Sequence, residues 1–390
     1  MDLPCVAPDI HAYLLYQYKN KEDKYAIGSI DRDRFIEVTE SKKDIVLKTI
    51  SFMNGTNTFD EIEEKVTADT GLTINSRKMY AILEKADLLQ EENHPNAQKN
   101  EFERFGFKVI GIRIDKMKGI FDRLSRFVMP ASLITVLLTV LSLVLFFLNN
   151  ISITDFSLLG FQDHYIRNFI LMFLVSSISI SMHELSHGIT AAKYGLAPKS
   201  ISLTLYLYIS PIFYIKLPGL YTVKPIQRIH IWFAGVMANA FIGCTGFIMA
   251  LICKQLGASE HLIFTLNYVC YINFTYFIVN LCPLLPLDGY FILATIMKSP
   301  NLRKRSFSSV KDIFKSGKIK ITVPQLIYFT LSMSMIAFLV LRELSAMIIL
   351  FRKNLDGGIS NAFWSIKQYL FLIVMFPIVR IFRKRIRKKR

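Results

Sequence analysis

The stretch His183-Glu184-Leu185-Ser186-His187 closes an apolar run that begins near Ile166 and includes Ile170, Leu171, Phe173, Leu174, Val175, Ile178 and Ile180. Residues four apart on a helix share a face, about one turn from each other. At that spacing both imidazoles can hold one zinc ion, and the glutamate between them can act as general base toward water. The setting sharpens the reading, because ionisable groups in a membrane-length apolar helix are costly and mark a site. The competing reading is a pair of helical histidines hydrogen-bonded inside a bundle. The rest of the chain has to decide between the two.

Of the 390 residues, 52% are hydrophobic, and the net charge is +17. The apolar residues gather in six runs long enough to cross a bilayer: 127–148, 166–192, 229–253, 262–281, 323–341 and 363–380. The first hundred residues hold no such run. This pattern predicts a multi-pass α-helical membrane protein behind an N-terminal domain of different character. The basic excess is local. It lies in 298–320, where Lys298, Arg303, Lys304, Arg305, Lys311, Lys315, Lys318 and Lys320 face a single acid, Asp312, and in the tail from Arg380. Both stretches flank apolar spans, so topology and anionic lipid headgroups account for them, and no nucleic-acid partner is expected. Cys5, Cys244, Cys253, Cys270 and Cys282 show neither a disulfide framework nor a zinc spacing. The opening residues lack the basic start and apolar core of a signal peptide.

Residues 1–95 read as a winged-helix-like α/β unit. Strand-like runs cover 11–18 and 25–39. A helix follows, with Ser41 and Asp44 as a capping box. A second helix has Thr58 and Glu61 as its box and Gly71 as its stop. A third runs from about Asn75 to Leu88, and Leu89 leads to a last short strand. Residues 91–104 are polar and linker-like, 105–114 alternate as a strand, and 116–127 form an amphipathic helix suited to the membrane interface. The expected domains are therefore 1–95, a connecting 96–126 and a membrane domain 127–390. The lysine and arginine distribution puts both termini on the cytoplasmic side of the cell membrane, with the 149–165 loop outside.

After the His183–His187 helix, Ile201, Leu203, Leu205, Leu207 and Ile209 alternate with polar residues, which is strand periodicity. Pro211 is expected to end this strand, and 212–215 to return as a second one. A strand at membrane depth must be covered by protein or line a cavity. Its use beside a hydrolytic helix would be to pair with an extended substrate; a purely structural hairpin is the alternative. In the third span Gly235, Asn239 and Gly243 fall on one face, where helix packing by small residues accounts for the glycines and Asn239 points into the bundle. The fourth span carries Asn273 and Asn280 on one face, and Pro283 and Pro286 then break it before Asp288-Gly289. A carboxylate there must be paired or bound to a cation. Two histidines and one carboxylate make a hydrolytic zinc set with a fourth position open.

HExxH in a membrane helix, Gly235-x-x-x-Asn239 and Asn280-x-x-Pro283-x-x-x-x-Asp288-Gly289, in this order, resemble the site-2 protease family of intramembrane zinc metalloproteases over roughly 166–297. The resemblance implies zinc held by His183, His187 and Asp288, with Glu184 activating water and passing a proton to the leaving amine. It also implies Asn239 and Asn280 as polar groups near metal and scissile bond, and a membrane-associated β-hairpin beside them. No PDZ domain is visible. The block from Thr49 to Glu91 resembles the recognition element of ribosomal peptide biosynthesis, in which a leader peptide adds as an extra strand. Together the two parts resemble peptide zinc metalloproteases of bacterial ribosomal-peptide clusters. The implied function is cleavage of a modified precursor peptide during maturation, with a peptide exporter as next partner. Two rivals stand beside it: regulated cleavage of a membrane-anchored signalling protein, and a non-catalytic peptide-binding export or immunity protein.

Overall fold

The computed structural model describes residues 3–90, 106–149, 165–206, 210–316, 321–355 and 358–360. The expected sixth span at 363–380, the 91–104 linker and the expected outer loop after Asn149 lie outside the described residues.

The N-terminal unit is a three-stranded antiparallel sheet in the order β1 (His11–Tyr16), β2 (Lys24–Ser29), β3 (Arg34–Thr39), followed by α1 (Glu40–Phe52), α2 (Phe59–Thr70) and α3 (Ser76–Lys85). The single strand expected over 25–39 is a hairpin. Asp33 donates its N–H to the Ile30 carbonyl in a tight turn, and the strands cross so closely there that a Cβ on Gly28 would lie 1.9 Å from Arg34 O. The expected Ser41–Asp44 capping box does not form. β3 runs straight into α1, Thr39 takes the cap position without a side-chain bond, and Ser41 Oγ bonds Glu22 instead. The Thr58–Glu61 box does form, with Gly71 ending α2 in the left-handed region at φ 69°. Leu89 makes only an isolated bridge to Val6. The core of this unit gathers Ile27, Val46, Ile50, Met53, Ile62, Val66, Leu83 and Leu88 between one sheet face and the helices.

The second unit begins earlier than the sequence suggests. β4 (Gly106–Arg113) pairs antiparallel with β5 (Ser200–Tyr206), which pairs with β6 (Ser210–Lys216), so 106–113 belongs to this unit's sheet. Pro211 lies inside β6, opposite Leu205, and does not end the hairpin's first strand. Ile215, four residues on, sends its N–H away from β5. By the two-residue repeat, Pro211 therefore sits where the ladder requires no donor. After β4, the short helix α4 (Lys118–Ser125) buries Phe121 against Ile215 and Ala192, while Met117, Ile120, Leu124 and Phe127 stay exposed, as an interfacial helix would leave them.

Then come α5 (Val128–Leu148), α6 (Tyr165–Lys193), α7 (Pro225–Gln255), α8 (Glu260–Leu281), α9 (Asp288–Ile296), α10 (Leu302–Ser316) and α11 (Val323–Lys353). Among the described residues five helices, α5, α6, α7, α8 and α11, are long and apolar enough to cross a membrane. Helix α7 is the hub, packing on α5, α6, α8 and α9. The break between α8 and α9 follows from Pro283 and Pro286, which cannot continue a helix. It is tight: a Cβ on Gly289 would stand 2.3 Å from Leu281 O.

The outer face of the N-terminal sheet lies on the second unit. Phe35 meets Tyr221 edge to face, Arg305 pairs with Glu37 at 2.9 Å, and Asp33 Oδ1 accepts the Gly219 N–H at 3.1 Å. Burial pushes the Asp33 carboxyl above its ordinary value, against the opposing pull of the Gly219 N–H and of Lys216, Arg34 and Lys199. An acid raised in the folded state costs stability that appears as pH rises from the ordinary carboxylate range through the raised value, and is absent below it. Asp33→Asn keeps an acceptor for Gly219 and removes that cost. Hydrogen exchange at the Gly219 amide at neutral pH should be slower in the variant than in the wild type, and the difference should vanish in acid.

Candidate metal centre

Helix α6 carries His183 and His187 one turn apart, both buried, with ring planes at 85° and centroids 4.8 Å apart. Asp288 reaches them from the first residue of α9, because the double-proline break turns the chain there. Asp288 Oδ2 lies 3.0 Å from His183 Nε2 and 3.4 Å from His187 Nε2, and the two Nε2 atoms are 3.1 Å apart. Metal–ligand bonds of 2.0–2.1 Å in a tetrahedron set donor atoms about 3.3 Å apart. The three separations bracket that edge, so the donor set fits a zinc-sized cation. Among the described residues these three make the one His/Cys/Asp/Glu group of metal-ligand size.

The far nitrogens fix the ring orientation. His187 Nδ1 lies 2.7 Å from the Ile231 carbonyl on α7, so this nitrogen carries the proton and Nε2 presents its lone pair to the centre. His183 Nδ1 lies 2.9 Å from the Asn239 side-chain nitrogen, and Asn239 Oδ1 is buried without a partner. The oxygen and nitrogen of an amide exchange places by a flip. In the flipped orientation Oδ1 accepts the His183 proton, and both imidazoles aim Nε2 at one point. Asn239 is thus brought to the site as the group that holds His183. The Asn280 amide donates to the Tyr276 carbonyl at 3.0 Å, one turn back on its own helix. Its face-mate Asn273 is the one that meets α6, donating to Ser179 Oγ at 2.9 Å one turn before His183.

Glu184, next to His183, turns toward the sheet. Its Oε2 accepts the Ile215 N–H of β6 at 2.9 Å, which ties the candidate base to the edge strand. Trp232 stands edge to face with His187 at 5.9 Å and stacks on Phe291 of α9 at 4.5 Å, so it joins the helix behind the histidines to the one bearing Asp288. Sequence reasoning passed over Trp232, Phe291 and the Ile231 carbonyl. The signal within reach was Trp232 itself, a large indole three residues before Gly235.

Gly235 is more than a packing residue. A Cβ built there would lie 2.6 Å from His183 Nε2 and 2.6 Å from His187 Nε2. The bare backbone of α7 makes room for the donor atoms.

No family model matches the chain, and neither a curated protein nor a solved structure matches it.

Gly235→Ala should lower bound zinc per chain by at least about tenfold, the size of effect expected when ligand placement is disturbed. Gly243→Ala is the control, because a Cβ there makes ordinary contacts of 3.4 Å and more. Metal analysis of the two purified variants, with circular dichroism to confirm equal helix content, checks this.

Proposed function

We propose that this chain is a membrane-embedded zinc metalloprotease of the site-2 protease type, and that it cleaves a ribosomally synthesised, modified precursor peptide during maturation and export. One observation carries the reading: His183, His187 and Asp288 converge at tetrahedral-edge distances from two helices, beside a glutamate bonded to an edge strand.

A zinc ion in this set would supply Lewis acidity toward the scissile carbonyl and make water easier to deprotonate. The protein's groups do the rest. Glu184 takes the proton from water and hands it to the leaving amine. Ile231 and Asn239 keep the two imidazoles in the tautomer that ligates. β6 offers the extended peptide an edge: Pro211 lacks an N–H and Glu184 takes that of Ile215, so the outward N–H left for pairing is that of Phe213. A helical substrate has its carbonyls occupied by its own hydrogen bonds, and strand pairing presents it unwound.

The N-terminal unit serves as the recognition domain. Its sheet order leaves β3 at an edge, with no strand beyond it among the described residues, which suits addition of a leader peptide. The membrane unit sits in the cell membrane with both termini cytoplasmic, as the basic 298–320 stretch and tail favour. His187 is six residues from the end of α6, about 9 Å along the axis, so the centre lies near the cytoplasmic face.

The test is cleavage of a candidate precursor peptide by purified protein in detergent. Glu184→Gln should retain its zinc and lose activity by about a thousandfold, the scale of a positioned acid–base group. Asp288→Ala should lose both zinc and activity. Full activity in Glu184→Gln overturns the assignment. Wild-type protein that holds zinc but leaves every soluble precursor intact moves the substrate to membrane-anchored chains.

A further inference from the structure

The N-terminal sheet has two faces, and the outer one is not free. It lands on the two helices that complete the candidate metal centre from outside α6. The first landing point is Arg228, in the first turn of α7. Arg228 is 1% exposed, donates to the Leu15 carbonyl at 2.6 Å, and lies over the Tyr16 ring at 4.8 Å and the Tyr221 ring at 5.8 Å. Its Nε and Nη1 have no hydrogen-bond partner. A buried guanidinium is expensive unless acceptors and ring faces replace its water. Here the hydrogen-bond acceptor and the nearer ring both come from the N-terminal domain. The second landing point is Lys298, just past α9. Its ammonium donates to the Gln17 carbonyl and lies 4.9 Å from the Tyr18 ring centroid, while Tyr18 Oη donates to the Lys298 carbonyl at 3.0 Å. Lys298 is left-handed at φ 50°, a conformation a lysine holds only when its surroundings fix it.

Both contacts are short rigid paths to the centre. Arg228 is three residues before Ile231, whose carbonyl holds His187, and seven before Gly235, which makes room for both imidazoles. Lys298 stands two residues beyond the single nine-residue helix whose first residue is Asp288. The histidines lie on α6, which the docked face reaches through neither of these contacts. The domain therefore grips the parts of the centre that must be set against α6.

Resting on the reading of His183, His187 and Asp288 as metal ligands, we propose that the docked N-terminal domain positions the metal centre, with Arg228 and Lys298 as the positioning residues through which it sets α7 and α9 against α6. Occupancy or displacement of that domain by a peptide then changes the order of the site as well as the local supply of substrate. The domain is a control element for the centre in addition to a tether for its substrate.

The test uses the full-length protein in detergent with Co2+ as the probe metal, which reports its ligand geometry through its visible absorption. Tyr16→Leu removes the ring from the far side of the interface and touches no residue of the centre; Arg228→Met removes the charge and keeps the stem. Both should weaken Co2+ affinity by about tenfold, the lower end of the effect of losing a group that orients ligands, and both should shift the absorption bands. Arg228→Lys should recover part of the loss. The double variant should lose less than the two single losses combined, since the Tyr16 ring and the Arg228 guanidinium share one contact. Wild-type affinity and spectrum in both Tyr16→Leu and Arg228→Met overturn the proposal. Absence of Co2+ binding by the wild-type protein overturns the metal reading itself, and the two failures are told apart by that measurement.

Discussion

His183 Nε2, His187 Nε2 and Asp288 Oδ2 face one another across about 3 Å with no protein donor among them once each Nδ1 holds its proton elsewhere. Three electron-rich atoms in a buried space repel unless a cation lies between them. Much of the second unit can be read as the means of holding that arrangement. α6 supplies two of the atoms from one helical face. The proline break after α8 supplies the third, since an unbroken helix would have carried Asp288 onward along its own axis. Gly235 keeps the backbone of α7 from filling the space they share. The carbonyl of Ile231 and the amide of Asn239 then lock the rings, and Trp232 on Phe291 ties α7 to α9 at the same level.

The sheet answers a second constraint. An edge strand beside the candidate metal centre is a template for any extended chain, including another copy of the protein. β6 limits that exposure in two ways. Pro211 removes one outward N–H, and Glu184 occupies the one at Ile215. The sheet is also wider than a hairpin, because β4, from before the first span, covers the far side of β5. What remains open is a short edge against the Glu184 carboxylate.

His183, His187 and Asp288 were legible in the sequence because their residue types are costly in an apolar helix or at its break, so spacing alone singled them out. The five helices, the hairpin and the Thr58 cap were legible because periodicity and capping are local properties. The β4–β5 pairing was not, since strand partners about ninety positions apart leave no local trace. Asn280 came into the candidate site through the resemblance to a protease family; its amide donates to the carbonyl one turn back, an acceptor every helical asparagine has within reach. Nothing in the residues around Arg228 marks it as buried. Its burial depends on Leu15 and Tyr16, more than two hundred residues away, and only the assembled chain shows it.

Arg228 also bears on how the N-terminal and second units are joined. A surface arginine on a loop between spans has no reason to be buried, and burying it with two unpartnered nitrogens sacrifices hydration that a free loop would keep. Hydrophobic residues could have joined the two units at lower cost. A buried, imperfectly satisfied cation instead makes docking dependent on geometry, because the guanidinium is tolerable only when the Leu15 carbonyl and the Tyr16 ring stand in place. Such an interface is either well formed or strongly disfavoured, with little in between. Attached to the helix that holds His187 and makes room for both imidazoles, it converts the state of the N-terminal domain into the order of the donor atoms two turns away.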